Sequence, residues 1–161
     1  MSRTVYRIAT DAKAYLANDM SGAGAKRAGG RWNRQDTAVV YASETRSLAC
    51  LETLVHLNAG GLPMNRYLVE VAIPGDIWDA REERNAASLP VGWDAEPASL
   101  TSIEFGTGWL ESARTAVLVI PSAIVPEEMN VLINPAHPAS ASIGARKVRR
   151  WTYDPRIAKA S

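Results

Sequence analysis

Three positions in the chain are unusual enough in type and setting to do chemistry. Arg31 sits in Gly29-Gly30-Arg31-Trp32-Asn33. Paired glycines let a ligand approach the backbone closely, and a guanidinium can clamp a diphosphate through two parallel hydrogen bonds. Trp32 beside it can stack on a ring or simply fill the core, and a plain surface loop explains the same residues. Glu52 lies in an otherwise apolar helical stretch. At about 100° per residue it shares a flank with Thr45, Ala49 and His56. A carboxylate there is expected to be partly buried and to need a partner or a function, and a boundary ion pair would serve equally. His56 reads as an ordinary helix histidine. Ser122 follows Val119-Ile120-Pro121 at the mouth of an apolar strand, where a serine ordinarily forms a turn.

Most other site chemistries are missing. The two histidines, His56 and His137, and the single Cys50 have no metal-ligand spacing, so a structural zinc site is excluded. Gly22-Ala23-Gly24-Ala25-Lys26-Arg27 begins like a dinucleotide fingerprint but lacks its third glycine and opens no strand–helix–strand unit. No glycine precedes Lys-Ser or Lys-Thr, and no Gly-x-Ser-x-Gly occurs. One cysteine cannot form an intramolecular disulfide. The longest uncharged apolar run, Thr115 to Val125, is interrupted by Pro121 and falls short of the ~20 residues of a membrane helix. Met1 to Arg7 carries no signal-like apolar run, so a cytoplasmic protein away from membranes is expected.

These candidates must be positioned by a chain of 161 residues, 47% apolar and 22% charged, which is the balance of one globular domain spanning 1–161. Alternation and turn residues predict strands at Val5–Ala9, Ala38–Ala42, Arg66–Ile73, Ala116–Ile120, Asn130–Ile133 and Val148–Tyr153. Ser21 to Gly30 reads as a glycine-rich loop, and residues 76–108 as irregular. A helix is expected after Ser43 as N-cap, with Glu44 in its first turn, carrying Leu48, Leu51, Leu54 and Val55 and stopping near Asn58-Ala59-Gly60-Gly61. Many short strands with one strong helix indicate an α+β fold. Net charge is +1, but unevenly placed: 8 basic against 4 acidic residues in 1–50, 4 against 12 in 51–130, and 6 against 1 in 131–161. Two basic ends around an acidic middle would build one positive cleft for a compact anion, or else separate solvated faces.

Taken in order, the blocks resemble one family. They are Tyr6-Arg7, the segment ending Gly29-Gly30-Arg31-Trp32-Asn33, Val40-Tyr41-Ala42-Ser43, and Leu48-Ala49-Cys50-Leu51-Glu52-Thr53-Leu54-Val55-His56-Leu57. After these come Leu89-Pro90-Val91-Gly92-Trp93, Gly108-Trp109-Leu110, Ile120-Pro121-Ser122, Asn130, Leu132 to His137, and Tyr153-Asp154-Pro155-Arg156. Together they resemble the RES-domain toxins of bacterial toxin–antitoxin pairs, named for an Arg, a Glu and a Ser. Val131 stands where the family pattern has an aromatic.

The resemblance implies a split β-sheet core like that of the ADP-ribosyltransferase toxins. It also implies destruction of NAD⁺ at the nicotinamide–ribose bond, by water or by inorganic phosphate as co-substrate, with no bound cofactor or metal. Carried over by motif, Arg31, Tyr41, Glu52 and Ser122 would line the catalytic site, with Arg7, Trp32 and Asn134 as further substrate contacts. Glu52 would stabilise the oxocarbenium-like ribose, Arg31 hold the diphosphate, and Tyr41 stack on nicotinamide or hold ribose. Lys26 or Arg27 would take over the diphosphate if Arg31 did not hold it. An Xre-like helix-turn-helix antitoxin would cap the cleft in a hetero-oligomer built on toxin dimers, so this chain itself would touch no nucleic acid. Two other readings share the residues: ADP-ribosyl transfer onto a protein, and a non-catalytic nucleotide- or antitoxin-binding module.

Overall fold

The computed structural model describes residues 1–56 and 62–158. Its strands are β1 (Arg3–Thr10), β2 (Val40–Ser43), β3 (Arg66–Ile73), β4 (Glu82–Glu83), β5 (Val117–Pro121), β6 (Met129–Ile133) and β7 (Gly144–Arg150). Four helices join them: α1 (Ala23–Ala28), α2 (Arg46–Leu54), α3 (Gly75–Asp79) and α4 (Leu100–Ser112). The strands make one mixed sheet in the order β4-β5-β6-β2-β1-β3-β7, antiparallel except for the β4–β5 pair. The expected α+β class is the observed one.

The sheet is nearly split in the middle. β1 and β3 pair along all eight residues, from Arg3↔Ile73 to Thr10↔Arg66, whereas β1 meets β2 through the single pair Tyr6↔Ser43. Beyond that rung the two strands part, and the edges they leave uncovered become the walls of a cleft. One face of the sheet is covered continuously by valines and isoleucines of both halves, among them Val5, Val40, Val69, Val71, Val119 and Val131. The other face carries two separate clusters. Leu118, Ile120 and Leu132 pack under Trp32, Trp93 and Trp109 on one half, and Ile8 and Leu68 pack under Ala49 of α2 on the other. A gap between two apolar clusters, above a nearly broken seam, is the natural place for a ligand cavity.

Several expectations shift. Ser43 belongs to β2, and Thr45 caps α2 instead, its hydroxyl accepting from Leu48 N at 3.1 Å. Glu44 lies ahead of the helix and accepts from Met129 N. The described helix ends at Leu54; the expected stop at Asn58–Gly61 lies outside the described residues. The glycine-rich segment holds the short helix α1. The last strand is Gly144–Arg150 rather than Val148–Tyr153, because the β3 partner extends to Ala72↔Gly144; Tyr153 instead docks on α2, its hydroxyl 2.7 Å from Thr53 Oγ1.

The largest difference is α4, a thirteen-residue helix that begins inside the stretch 76–108 read as irregular. Its Thr101, Ser102, Gly106, Thr107 and Gly108 are weak helix formers, so local propensity hides it. Tertiary packing makes it. A Cβ on Gly106 would collide with the carbonyl of Trp32, so only glycine lets the helix lie directly on that backbone, with Trp109 and Leu110 buried beside it. Val131, where an aromatic was expected, is fully buried within the valine-rich face.

Candidate functional site

The cleft at the seam measures about 1140 Å³, above the range of about 300–1,000 Å³ usual for small-molecule pockets. Tyr6 to Thr10 of β1, Tyr41 to Ser43 of β2, and Glu52 of α2 all contribute to its wall. Of the residues singled out from the sequence, Arg7, Arg31, Trp32, Tyr41 and Glu52 are brought together here. Ser122 and Asn134 are not part of the wall.

Glu52 is held by one of its two oxygens. Oε1 accepts from Ser122 Oγ and from Asn130 Nδ2, each at 2.7 Å. Ser122 is fully buried, and its oxygen accepts from Ile124 N (3.0 Å) and Val125 N (3.2 Å). The serine after the strand therefore does form a turn, and it turns its hydrogen to the carboxylate. Ser122 was expected to line the site, and it is instead buried behind Glu52, outside the cavity wall. Among the described residues no donor engages Oε2.

The two arginines differ. Arg31 Nη1 donates to Trp93 O (3.1 Å) and Ala95 O (2.8 Å), while Nη2 pairs with Glu96 at 3.0 Å. Three of the donors of its fork thus tie down the 93–96 segment, which itself supplies Asp94 and Glu96 to the wall. Arg7 has no ion pair among the described residues, and its Nε is buried without a hydrogen-bond partner. Burial pushes its guanidinium below the ordinary arginine range, with Asp19 and Tyr15 pulling the other way. An unpartnered buried donor on a cation in a cavity wall is what an anion would satisfy.

Tyr41 is committed locally. Its hydroxyl donates to Asn33 Oδ1 (2.6 Å) and accepts from Trp32 N (3.0 Å), and burial raises the phenol well above the ordinary tyrosine range. A Cβ on Gly30 would crowd that hydroxyl, which explains one of the paired glycines. Tyr41 offers the cleft its ring rather than its hydroxyl. Trp32 is 3% exposed, stacked on Trp93 with centroids 6.3 Å apart and met edge-on by Phe105, so its indole is mainly core. Asn134 corrects another expectation. It is buried in the turn after β6, donating to Leu110 O and accepting from Ala136 N, with no access to the cavity.

Lys26 and Arg27 lie outside the wall, and the basic C-terminal run forms the edge strand β7. The cleft carries Arg7, Arg31 and Arg66 against Asp19, Glu52, Asp94 and Glu96, so it is mixed in sign and not uniformly positive. Reading the sequence position by position missed Asn130 as a site residue. Its signal was a polar side chain at the head of an apolar strand. Among the described residues no group of three or more His, Cys, Asp or Glu is placed to hold a metal, and no helix is long and apolar enough to cross a membrane.

Comparison with known proteins places these features. The chain is 60% identical over 157 residues, 98% of each protein, to a Sphingobium sp. protein named Prs ADP-ribosylating toxin. It is 35% identical over 159 residues to a Yersinia enterocolitica protein named Toxin Res, covering 95% of this chain and 98% of that one. In fold it is similar to a chain of the M. tuberculosis MbcT-MbcA toxin–antitoxin complex, with a TM-score of 0.71 at 14% identity, across 98% of this chain and 87% of that one. The RES domain profile matches residues 4–155, nearly the whole sheet and every residue of the cleft wall. The chain is a member of the RES domain family.

Proposed function

We propose that this chain is the toxin of a toxin–antitoxin pair and cleaves NAD⁺ at the bond between nicotinamide and ribose. The observation that carries this is the half-anchored carboxylate: Glu52 is fixed through Oε1 by two hydrogen bonds of 2.7 Å, leaving Oε2 to the cleft. As the glycosidic bond breaks, its electron pair leaves with nicotinamide as a neutral base, and positive charge develops on the ribose. A carboxylate that needs no reorganisation stabilises that charge or holds a ribose hydroxyl. Arg7, which has no ion pair among the described residues, holds the diphosphate, and the ring of Tyr41 supplies an apolar wall for the base. The acceptor then attacks the ribose carbon and gives up its proton. Water yields ADP-ribose, and inorganic phosphate yields its phosphorylated form.

A second reading gives the ADP-ribosyl group to a protein. The name of the Sphingobium relative, Prs ADP-ribosylating toxin, favours it, and that protein is 60% identical to this chain over 157 residues. A macromolecular partner at the cleft also agrees with the exposed apolar side chains of Leu16, Val55 and Ile124 in its wall. An antitoxin of helix-turn-helix type would be another such partner; the M. tuberculosis structure, as a toxin–antitoxin complex, supports an antitoxin partner.

The deciding experiment incubates the purified chain with NAD⁺, with and without inorganic phosphate and Prs, and follows all products by mass. Free ADP-ribose or its phosphorylated form supports degradation, and mass added to Prs supports transfer. No consumption by folded protein in any arm overturns both. Glu52→Gln keeps the shape but removes the charge and is expected to lower turnover about 10²- to 10³-fold in whichever arm is active.

A further inference from the structure

Glu52 is a flexible side chain on a short helix, yet only one of its oxygens is held. Why that oxygen is chosen is decided by two polar groups, Asn130 and Ser43, in a row of side chains crossing the sheet. Ile120, Asn130, Ser43 and Tyr6 are successive register partners on β5, β6, β2 and β1, so their side chains share one face. Asn130 Nδ2 donates to Glu52 Oε1 at 2.7 Å, and its Oδ1 accepts from Ser43 Oγ, also at 2.7 Å. The carboxylate requires the amide to present nitrogen, so the amide oxygen must face Ser43, and Ser43 must donate. On the other side, two backbone N–H groups fill the lone pairs of Ser122 and commit its only hydrogen to the same Oε1. Each hydrogen bond in the chain Ser43–Asn130–Glu52–Ser122 therefore has one direction available.

We infer that Asn130, oriented by Ser43, is a positioning residue that fixes the Glu52 rotamer and reserves Oε2 for the substrate. The inference rests on the NAD⁺-cleaving reading for its kinetic consequence, but not for its geometry. Among the described residues, Ser43 also forms, with Tyr6, the one register pair between β1 and β2, where the two halves of the sheet meet. The carboxylate is thus referenced to the seam that shapes the cleft, and not only to its own helix. Asn130 acts through Glu52, whereas Arg7 and the aromatic walls hold the substrate independently of it.

Two measurements test this. In steady-state NAD⁺ cleavage, Asn130→Ala is expected to lower kcat about 10- to 100-fold, the usual consequence of an ångström-scale misplacement, with KM nearly unchanged. Ser43→Ala should lower kcat by a smaller factor, Ser43→Thr should restore it, and Ser43→Ala should add nothing to Asn130→Ala. Multiplying effects, or a KM rise equal to the kcat loss, would overturn the positioning role. The second measurement needs no turnover. In nitrogen–proton NMR spectra of the intact chain, the Asn130 side-chain amide should exchange slowly with solvent, and both Ser43→Ala and Glu52→Gln should move it. A fast-exchanging amide indifferent to both substitutions would overturn the relay in an active or an inactive protein. Absent cleavage with a protected, responsive amide would instead count against the NAD⁺ reading alone.

Discussion

Arg7 and Arg31 line the same cleft from opposite halves of the molecule, and their surroundings are opposite too. Arg31 stands beside two glycines, the setting that suggests a phosphate clamp, yet its fork is largely engaged by Trp93 O, Ala95 O and Glu96. Arg7 stands in the middle of a strand, where a core-facing alternation leaves no obvious role for charge, and it is the one with an orphaned buried Nε. Residue type and local setting therefore ranked them in one order, and hydrogen-bond satisfaction ranks them in the other. A buried cation whose donors are engaged holds structure together. One whose donors are idle is either a defect or half of a binding site.

Substituting each arginine separates these roles. Arg7→Met has the largest expected effect on ligand binding: NAD⁺ affinity falls about 10- to 100-fold, the range of a charge-assisted contact. Thermal stability stays level or rises, because an uncompensated buried charge is removed in favour of an apolar chain of similar length. Titration calorimetry and a melting curve read both, and a destabilised variant with normal affinity would make Arg7 a structural residue. Arg31→Ala is expected to weaken NAD⁺ binding less, about 3- to 10-fold, while costing about 1–2 kcal/mol of stability and loosening the 93–96 segment. Hydrogen exchange at Trp93 N and Ala95 N, which now donate to Pro90 O and Gly92 O, reports that loosening. If affinity instead collapsed with exchange unchanged, Arg31 would be the clamp and the ranking would revert to the one its glycines suggest.

Tyr41→Phe has the smallest expected effect on turnover, because the ring stays and only the link between Asn33 and Trp32 is lost. Its stability cost is about 1–2 kcal/mol at neutral pH, from two buried groups left without a partner. Burial holds the native phenol above the ordinary tyrosine range, so the unfolded chain loses its proton first as pH passes about 10. Protons then favour the folded state, and stability falls with rising pH above that point. Denaturant midpoints between pH 8 and 11 should show this decline in the parent and a shallower one in Tyr41→Phe. Equal slopes would mean that another tyrosine carries it.

Much of this was legible without coordinates, where the signal was local. Alternation and prolines marked five of the seven strands and the end of a sixth, Arg66–Ile73 to the residue, because a strand's side chains alternate between faces whatever the partner. Glu52 was identified as needing a partner because a carboxylate on an apolar helix flank does so in any fold. The order of motifs was enough to recognise the RES domain.

What tertiary structure alone decided is whatever depends on who meets whom. Glu52 finds Asn130 across 78 residues and Ser122 across 70, distances at which no periodicity in the chain carries information. Helix α4 exists because Gly106 lies against Trp32, and Ser122 and Asn134 face inward because backbone groups meet them there, two N–H donors for the Ser122 oxygen and a carbonyl for the Asn134 amide. The sequence by itself determined which residues were capable of chemistry, through their charge, polarity and helical or strand phase. Only the packed chain settled which donors remained free, because a hydrogen bond is satisfied in space and not along the sequence.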